Sequence, residues 1–130
     1  MLTPIIRLLL GHLIGDYMLQ TSWMAMNKGK KTCEGWFAAI LHSIVYTASI
    51  CTTMWNFNYW WIIAVFLSHV FIDHYSTATW YLKHVKGMNK PYKYSSQTYT
   101  SLYWIIYVVV DNTMHLLLML GAYHLIFNIL

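Results

Sequence analysis

The sequence predicts an all-α polytopic membrane protein, a four-transmembrane-helix bundle, and three observations carry that prediction. Of its 130 residues, 58% are hydrophobic and 9% charged, whereas soluble domains carry about 25% charged residues. Aromatic residues make up 18% of the chain, including seven Trp and eleven Tyr, which suits belts at a membrane–water interface. Seven of the eight basic residues fall in two clusters, Lys28, Lys30 and Lys31, then Lys83, Lys86, Lys90 and Lys93. Such clusters beside apolar runs follow the positive-inside pattern.

The whole of 1–130 is expected to form a single membrane domain with helices at about 4–26, 36–55, 59–83 and 102–128. The first is the least hydrophobic, because it carries Arg7, His12 and Asp16. Those polar residues, with no small-x-small site after them, predict a retained helix rather than a cleavable signal. The second has no formal charge over its twenty residues, enough to cross a bilayer. A short turn, Asn56 to Asn58, leads into the third, and a Lys- and Tyr-rich loop with Pro91 leads into the fourth. Runs this long and continuous exclude barrel strands. With both Lys-rich loops cytoplasmic, both termini lie outside. Cys33 and Cys51 fall near opposite ends of the second helix, about 27 Å apart, beyond disulfide reach.

The informative pattern is a repeated spacing. Trp23 follows Asp16 by seven residues and His12 by eleven; Trp80 stands in the same relation to Asp73 and His69. Trp104 precedes Asp111 by seven and His115 by eleven. Offsets of four, seven and eleven return to one face of an α-helix. If the fourth helix runs against the first and third, the stripes align, with Asp about 10 Å and His about 16 Å from the Trp level. Gly11-His12-x3-Asp16 and Ser68-His69-x3-Asp73 also suggest two hairpins related by a pseudo-twofold axis.

On the second helix, His42 falls near the Asp level and Tyr46 near the His level. The candidate set is His12, Asp16, His42, His69, Asp73, Asp111 and His115, with every helix represented. A central Asp costs about 2.5–3.5 kcal/mol on insertion scales, and neighbouring carboxylates repel. A divalent cation between them relieves both penalties, as in soluble di-metal bundles. Imidazole with carboxylate suits Zn, Fe or Mn, as one or two ions. The absence of thiolates argues against structural zinc or iron–sulfur, and three acids are more than haem needs. A single His-x3-Asp pair is ordinarily just an i, i+4 hydrogen bond; three at matched depth are not. Gly11 and Gly15, at small-xxx-small spacing, are expected to let a neighbouring helix approach. His74 is about 100° off the stripe and is left out of the set.

The stretch Gly11-His12-Leu13-Ile14-Gly15-Asp16-Tyr17-Met18-Leu19-Gln20, with His42 and Ser68-His69-x3-Asp73, resembles an uncharacterised family of small bacterial and phage membrane proteins with a His-x3-Asp-x3-Gln opening. More loosely, it is similar to bacterial inner-membrane metal-dependent hydrolases. The resemblance implies a membrane-embedded metal enzyme, a hydrolase of a lipid or lipid-linked substrate. Asp16, Asp73 and Asp111 then serve as ligands, bridges or general base, and iron would turn the same cage to oxidation. Two other classes use the same residues: a metal-ion or proton transporter or channel, and a phage or host membrane effector with the cluster as a structural staple. Membrane lipids are the expected partners, nucleic acid is not one, and association with further copies is open.

Overall fold

A computed structural model describes residues 2–129, with side chains through 127, so the outermost ends of the 1–130 domain lie outside the described residues. The described residues form helices and connecting turns without a strand. Helix α1 (Pro4–Leu13) runs into a π-helical turn (Ile14–Met18), and α2 (Ser22–Asn27) follows after a break. The others are α3 (Cys33–Met54), α4 (Tyr59–Tyr75), α5 (Thr77–His84) and α6 (Gln97–His124), the last continuing as a π segment (Leu125–Ile129). Neighbours pack as a ring: α1 on α3, α3 on α4, α4 on α6, and α6 back on α1.

Two helices are long and apolar enough to cross a membrane: Cys33–Met54, of mean hydropathy 1.4, and Gln97–Phe127, of mean hydropathy 1.7. The expected first and third spans are each divided, which corrects the picture of four unbroken helices. After the π turn, Thr21 takes extended geometry and its side chain accepts from Met24 N at 3.3 Å, which starts a new helix. At the other break Ser76 is left-handed, with φ 51° and ψ 50°, and both caps α4 and begins α5. Such a conformation costs a non-glycine residue about 1–2 kcal/mol. Each break falls just past a His-x3-Asp pair, His12–Asp16 and His69–Asp73. Trp23 and Trp80 therefore stand on separate helices from the acids they were matched to. Only Trp104, Asp111 and His115 keep their stripe on one unbroken helix. Glu34 lies in the first turn of α3 and accepts from Trp23 Nε1 at 3.2 Å.

The interior is divided along its length. Leu8, Tyr46, Ile50, Cys51, Met54, Trp61, Val65 and Met119 make an apolar cluster. Met54 ends α3 and Trp61 lies in the first turn of α4, so this cluster fills the end away from the lysines. The buried His12, His42, His69, Asp73 and His115 occupy the other half.

Helix α1 approaches α3 along Gly11 and Gly15. A Cβ on Gly11 would run into Thr53 Oγ1, and one on Gly15 would lie 2.8 Å from Tyr46 Cδ2. Ser49 Oγ donates to the buried Gly11 carbonyl at 2.9 Å, a side-chain bond across this close α1–α3 contact. Gly15→Ala is expected to destabilise the protein by about 1–3 kcal/mol through overpacking, read as a lower thermal midpoint in detergent. An unchanged midpoint would show that the helices are not locked at this contact.

Candidate metal centre

The π turn widens the helix at Asp16 and places its carboxylate against α3, while the break that follows lets Gln20 turn back toward the same point. Asp16 Oδ1 lies 3.1 Å from His42 Nε2 and 3.5 Å from His69 Nε2. Asp73 Oδ2 lies 3.3 Å from His42 Nε2 and 3.2 Å from His69 Nε2. The two imidazole nitrogens are 3.0 Å apart, and the Gln20 amide nitrogen lies 2.9 Å from His42 Nε2.

His42 Nε2 thus has four polar atoms within 2.9–3.3 Å. A ring nitrogen carries one proton or one lone pair, so hydrogen bonding satisfies at most one of these contacts well. Two facing nitrogens at 3.0 Å sharpen the conflict, because with both protonated or both bare they repel. A tetrahedral ion bound at about 2.0–2.1 Å holds its ligand atoms about 3.3 Å apart. Asp16, His42 and His69 form one triangle of that size, and His42, His69 and Asp73 form another on the shared His42–His69 edge. His69, Asp73 and His115 make a further group able to hold an ion, with ligand atoms all within 4.8 Å of one another.

The buried polar atoms fit this reading. His115 Nε2 is buried without a hydrogen-bond partner and stands 3.7 Å from Asp73 Oδ1, too far for a direct bond. His115 Nδ1 donates to the Asp111 carbonyl at 2.9 Å, which leaves Nε2 as the free lone pair. The Nδ1 atoms of His42 and His69 are buried and unpartnered as well, and an ion on their Nε2 atoms leaves them so. Each such group costs about 1–3 kcal/mol, a cost that buried polar networks carry mainly where function demands it.

Two of the seven expected residues stand outside these groups. His12 has both ring nitrogens engaged: Nε2 donates to Asn112 Oδ1 at 2.5 Å, and Nδ1 meets the Tyr46 hydroxyl at 2.9 Å and lies 3.4 Å from Asp16 Oδ2. It holds Tyr46, whose ring stacks on His69 with centroids 3.5 Å apart. Asp111 Oδ2 is 3.9 Å from His115 Nδ1 and lines the cavity beside the centre. The structure gathers Asp16, His42, His69, Asp73 and His115 at the centre, with His12 behind it and Asp111 at its side.

The family model for DUF3307, described as a protein of unknown function, matches residues 5–130. The chain belongs to the DUF3307 family. From Ile5 on, that match takes in every helix and all seven candidate residues. No curated protein and no solved structure matches the chain.

In this DUF3307 chain the lysine loop also enters the site. Lys28 Nζ lies 2.7 Å from Asp73 Oδ2. Burial works against its charge, but Asp73, then Asp16, outweigh burial and hold the ammonium above the ordinary lysine range. Reading that loop as a topology signal missed this ion pair. His74 stacks on Trp36 with centroids 3.7 Å apart, and its Nδ1 meets the Lys28 carbonyl at 3.0 Å. Lys31 Nζ donates to the His74 carbonyl at 2.5 Å. His74 therefore anchors the loop that delivers Lys28. Gln20 was legible four residues past Asp16. Asn112, one step off the Asp111 stripe, carried no signal of its own.

A cavity of about 500 Å³ opens beside the centre, with Asp16, Asp73 and Asp111 on its wall together with Lys28, Lys30 and Lys90. The carboxylates are thus reached from the lysine end, while the apolar cluster fills the other.

Proposed function

We propose that the chain is an integral protein of a bacterial inner membrane and a metal-dependent hydrolase of a lipid or lipid-linked substrate. In this reading α1 and α4, continued past their breaks by α2 and α5, lie in the membrane with α3 and α6, the lysine loops face the cytoplasm and the termini lie outside. The observation that carries the metal is the crowding of His42 Nε2 by the His69 nitrogen and two carboxylate oxygens, three contacts that one cation relieves together. His42 and His69 with Asp16 and Asp73 are its ligands, and His115 is in reach through Asp73. The Nε2 atom of His69 faces both carboxylates, and one ring nitrogen binds one ion, so one equivalent is expected.

Zinc, iron or manganese suits this donor set, and the ion supplies Lewis acidity and activates water for attack near neutral pH. The chain's own residues do the rest. Asp111, on the cavity wall and outside the ligand groups, accepts a proton from attacking water. Lys28 neutralises Asp73 and fixes its second lone pair. Tyr46, held by His12, fixes the plane of His69. The cavity admits substrate from one side, and the apolar cluster excludes water from the other. A channel or transporter needs polar groups running on to the far face, and Trp61, Ile50 and Met54 stand in that path.

Elemental analysis of detergent-purified protein, prepared without chelators, tests the reading. About one zinc, iron or manganese per chain is expected, lost in His69→Ala and in Asp16→Ala. Removing the ion with chelator should lower stability, since a ligand at a hundred times its Kd contributes about 2.7 kcal/mol. Metal-free wild-type protein whose melting ignores added zinc, iron and manganese would sink the proposal. Iron in place of zinc would turn it from hydrolysis to oxidation, because two histidines and one carboxylate also make the iron triad of oxygenases.

A further inference from the structure

The lysines on the cavity wall match the acids there in number. Asp16, Asp73 and Asp111 face Lys28, Lys30 and Lys90 across the same space, so the wall balances at three charges of each sign. A divalent ion on the carboxylates, the reading on which this inference rests, leaves the cavity with a net charge of about +2. Lys28 is committed to Asp73. The other two meet only neutral groups: Lys30 Nζ lies 2.5 Å from Asn27 Oδ1, and Lys90 Nζ lies 5.8 Å from the ring centroid of Trp104. Neither is ion-paired among the described residues. An ammonium is a compact point charge suited to phosphate, and a phosphomonoester carries about −1.5 to −2 at neutral pH. The charges match.

We infer that Lys30 and Lys90 form a phosphate subsite that holds a phosphomonoester group against the His/Asp centre. The rim argues for an amphiphilic owner of that phosphate. Met26, Trp104 and Val108 line the same cavity and are 71%, 42% and 43% exposed. Apolar side chains beside the two exposed lysines at the mouth, with the His/Asp centre behind them, place a chain outside and a charged head toward the centre. Trp104 also offers its face to Lys90, keeping that ammonium at the mouth without neutralising it. The substrate class is then a lipid phosphate whose phosphoester bond is cleaved by water, giving the lipid alcohol and inorganic phosphate.

The test is the affinity of metal-loaded protein for dihexanoyl phosphatidic acid and, separately, for inorganic phosphate, with metal content measured on the same samples. Each of Lys30→Gln and Lys90→Gln should weaken phosphatidic acid binding about tenfold or more, and the double variant about a hundredfold. Metal content should stay at the wild-type level, since neither lysine touches a ligand. Tighter binding of the lipid than of inorganic phosphate supports the amphiphile; equal binding keeps the subsite and assigns it to the free anion. Equal affinity of wild type and double variant for both probes would overturn the subsite. Lysine-dependent binding in a protein free of metal would sustain it while removing the metal reading, so the two can fail separately.

Discussion

His42→Ala is expected to abolish metal binding, taking the content from about one equivalent per chain to below about a tenth, while the helices remain. His42 is the shared corner of the two ligand triangles, so no arrangement of Asp16, His69 and Asp73 replaces it. The ring is buried on a helix that stands between α1 and α4, so its removal also leaves a cavity. A loss of stability is therefore expected for packing reasons alone, about 2–4 kcal/mol by analogy with other large-to-small core changes. The deciding readout is the response to chelator. Wild-type protein should melt lower when stripped of metal, whereas His42→Ala should melt at one temperature with and without chelator. A variant that still loses stability on chelation would move the ion away from His42.

The second large effect lies at the Lys28–Asp73 pair. Asp73→Asn removes a carboxylate whose oxygen is 2.7 Å from the Lys28 ammonium, and the acid side chain is 2% exposed. Breaking a buried pair by removing one partner costs about 3–5 kcal/mol, because the other charge stays behind uncompensated. Lys28→Gln should also destabilise, leaving Asp73 close to Asp16 with less positive charge beside it. The double variant Asp73→Asn, Lys28→Gln removes both charges and is expected to recover most of the stability. It should not recover the metal, because a neutral amide is a poor ligand beside a depleted carboxylate set. A double-mutant cycle in detergent reads the coupling. Additive losses would mean that Lys28 and Asp73 do not act as a pair, and metal retained in Asp73→Asn would exclude Asp73 as a ligand.

The candidate site was legible because ionisable residues are so few. With four acids in the chain, those within apolar runs are costly wherever they sit, and their spacing to histidine marks them. The spacing rule found Asp16, His69, Asp73 and His115, yet it assumed unbroken helices, and two of the three helices break at Leu19–Thr21 and Ser76. The breaks escaped because Thr21 and Ser76 are ordinary residues with no proline or glycine beside them to punctuate the pattern. Periodicity over a long window continues across a change of axis that keeps the same face inward. His12 fits the stripe as well, and what only the packing shows is that Asn112 and Tyr46 lie at its two nitrogens.

Composition and pattern determined the helical class, the apolar character and the choice of histidines and aspartates, because each depends on the cost of placing a residue type in a given solvent. They also determined the close approach at Gly11 and Gly15, since only missing side chains permit it. Tertiary structure alone decided which of those ionisable groups meet. The triangles at His42 and His69, the ion pair from Lys28, and the apolar seal across Trp61 and Met54 all join residues on different helices. Such contacts depend on the axial shift and rotation of one helix against the next. Those are set by how glycines, breaks and large side chains pack between elements, a sum over distant pairs that no local stretch of sequence contains.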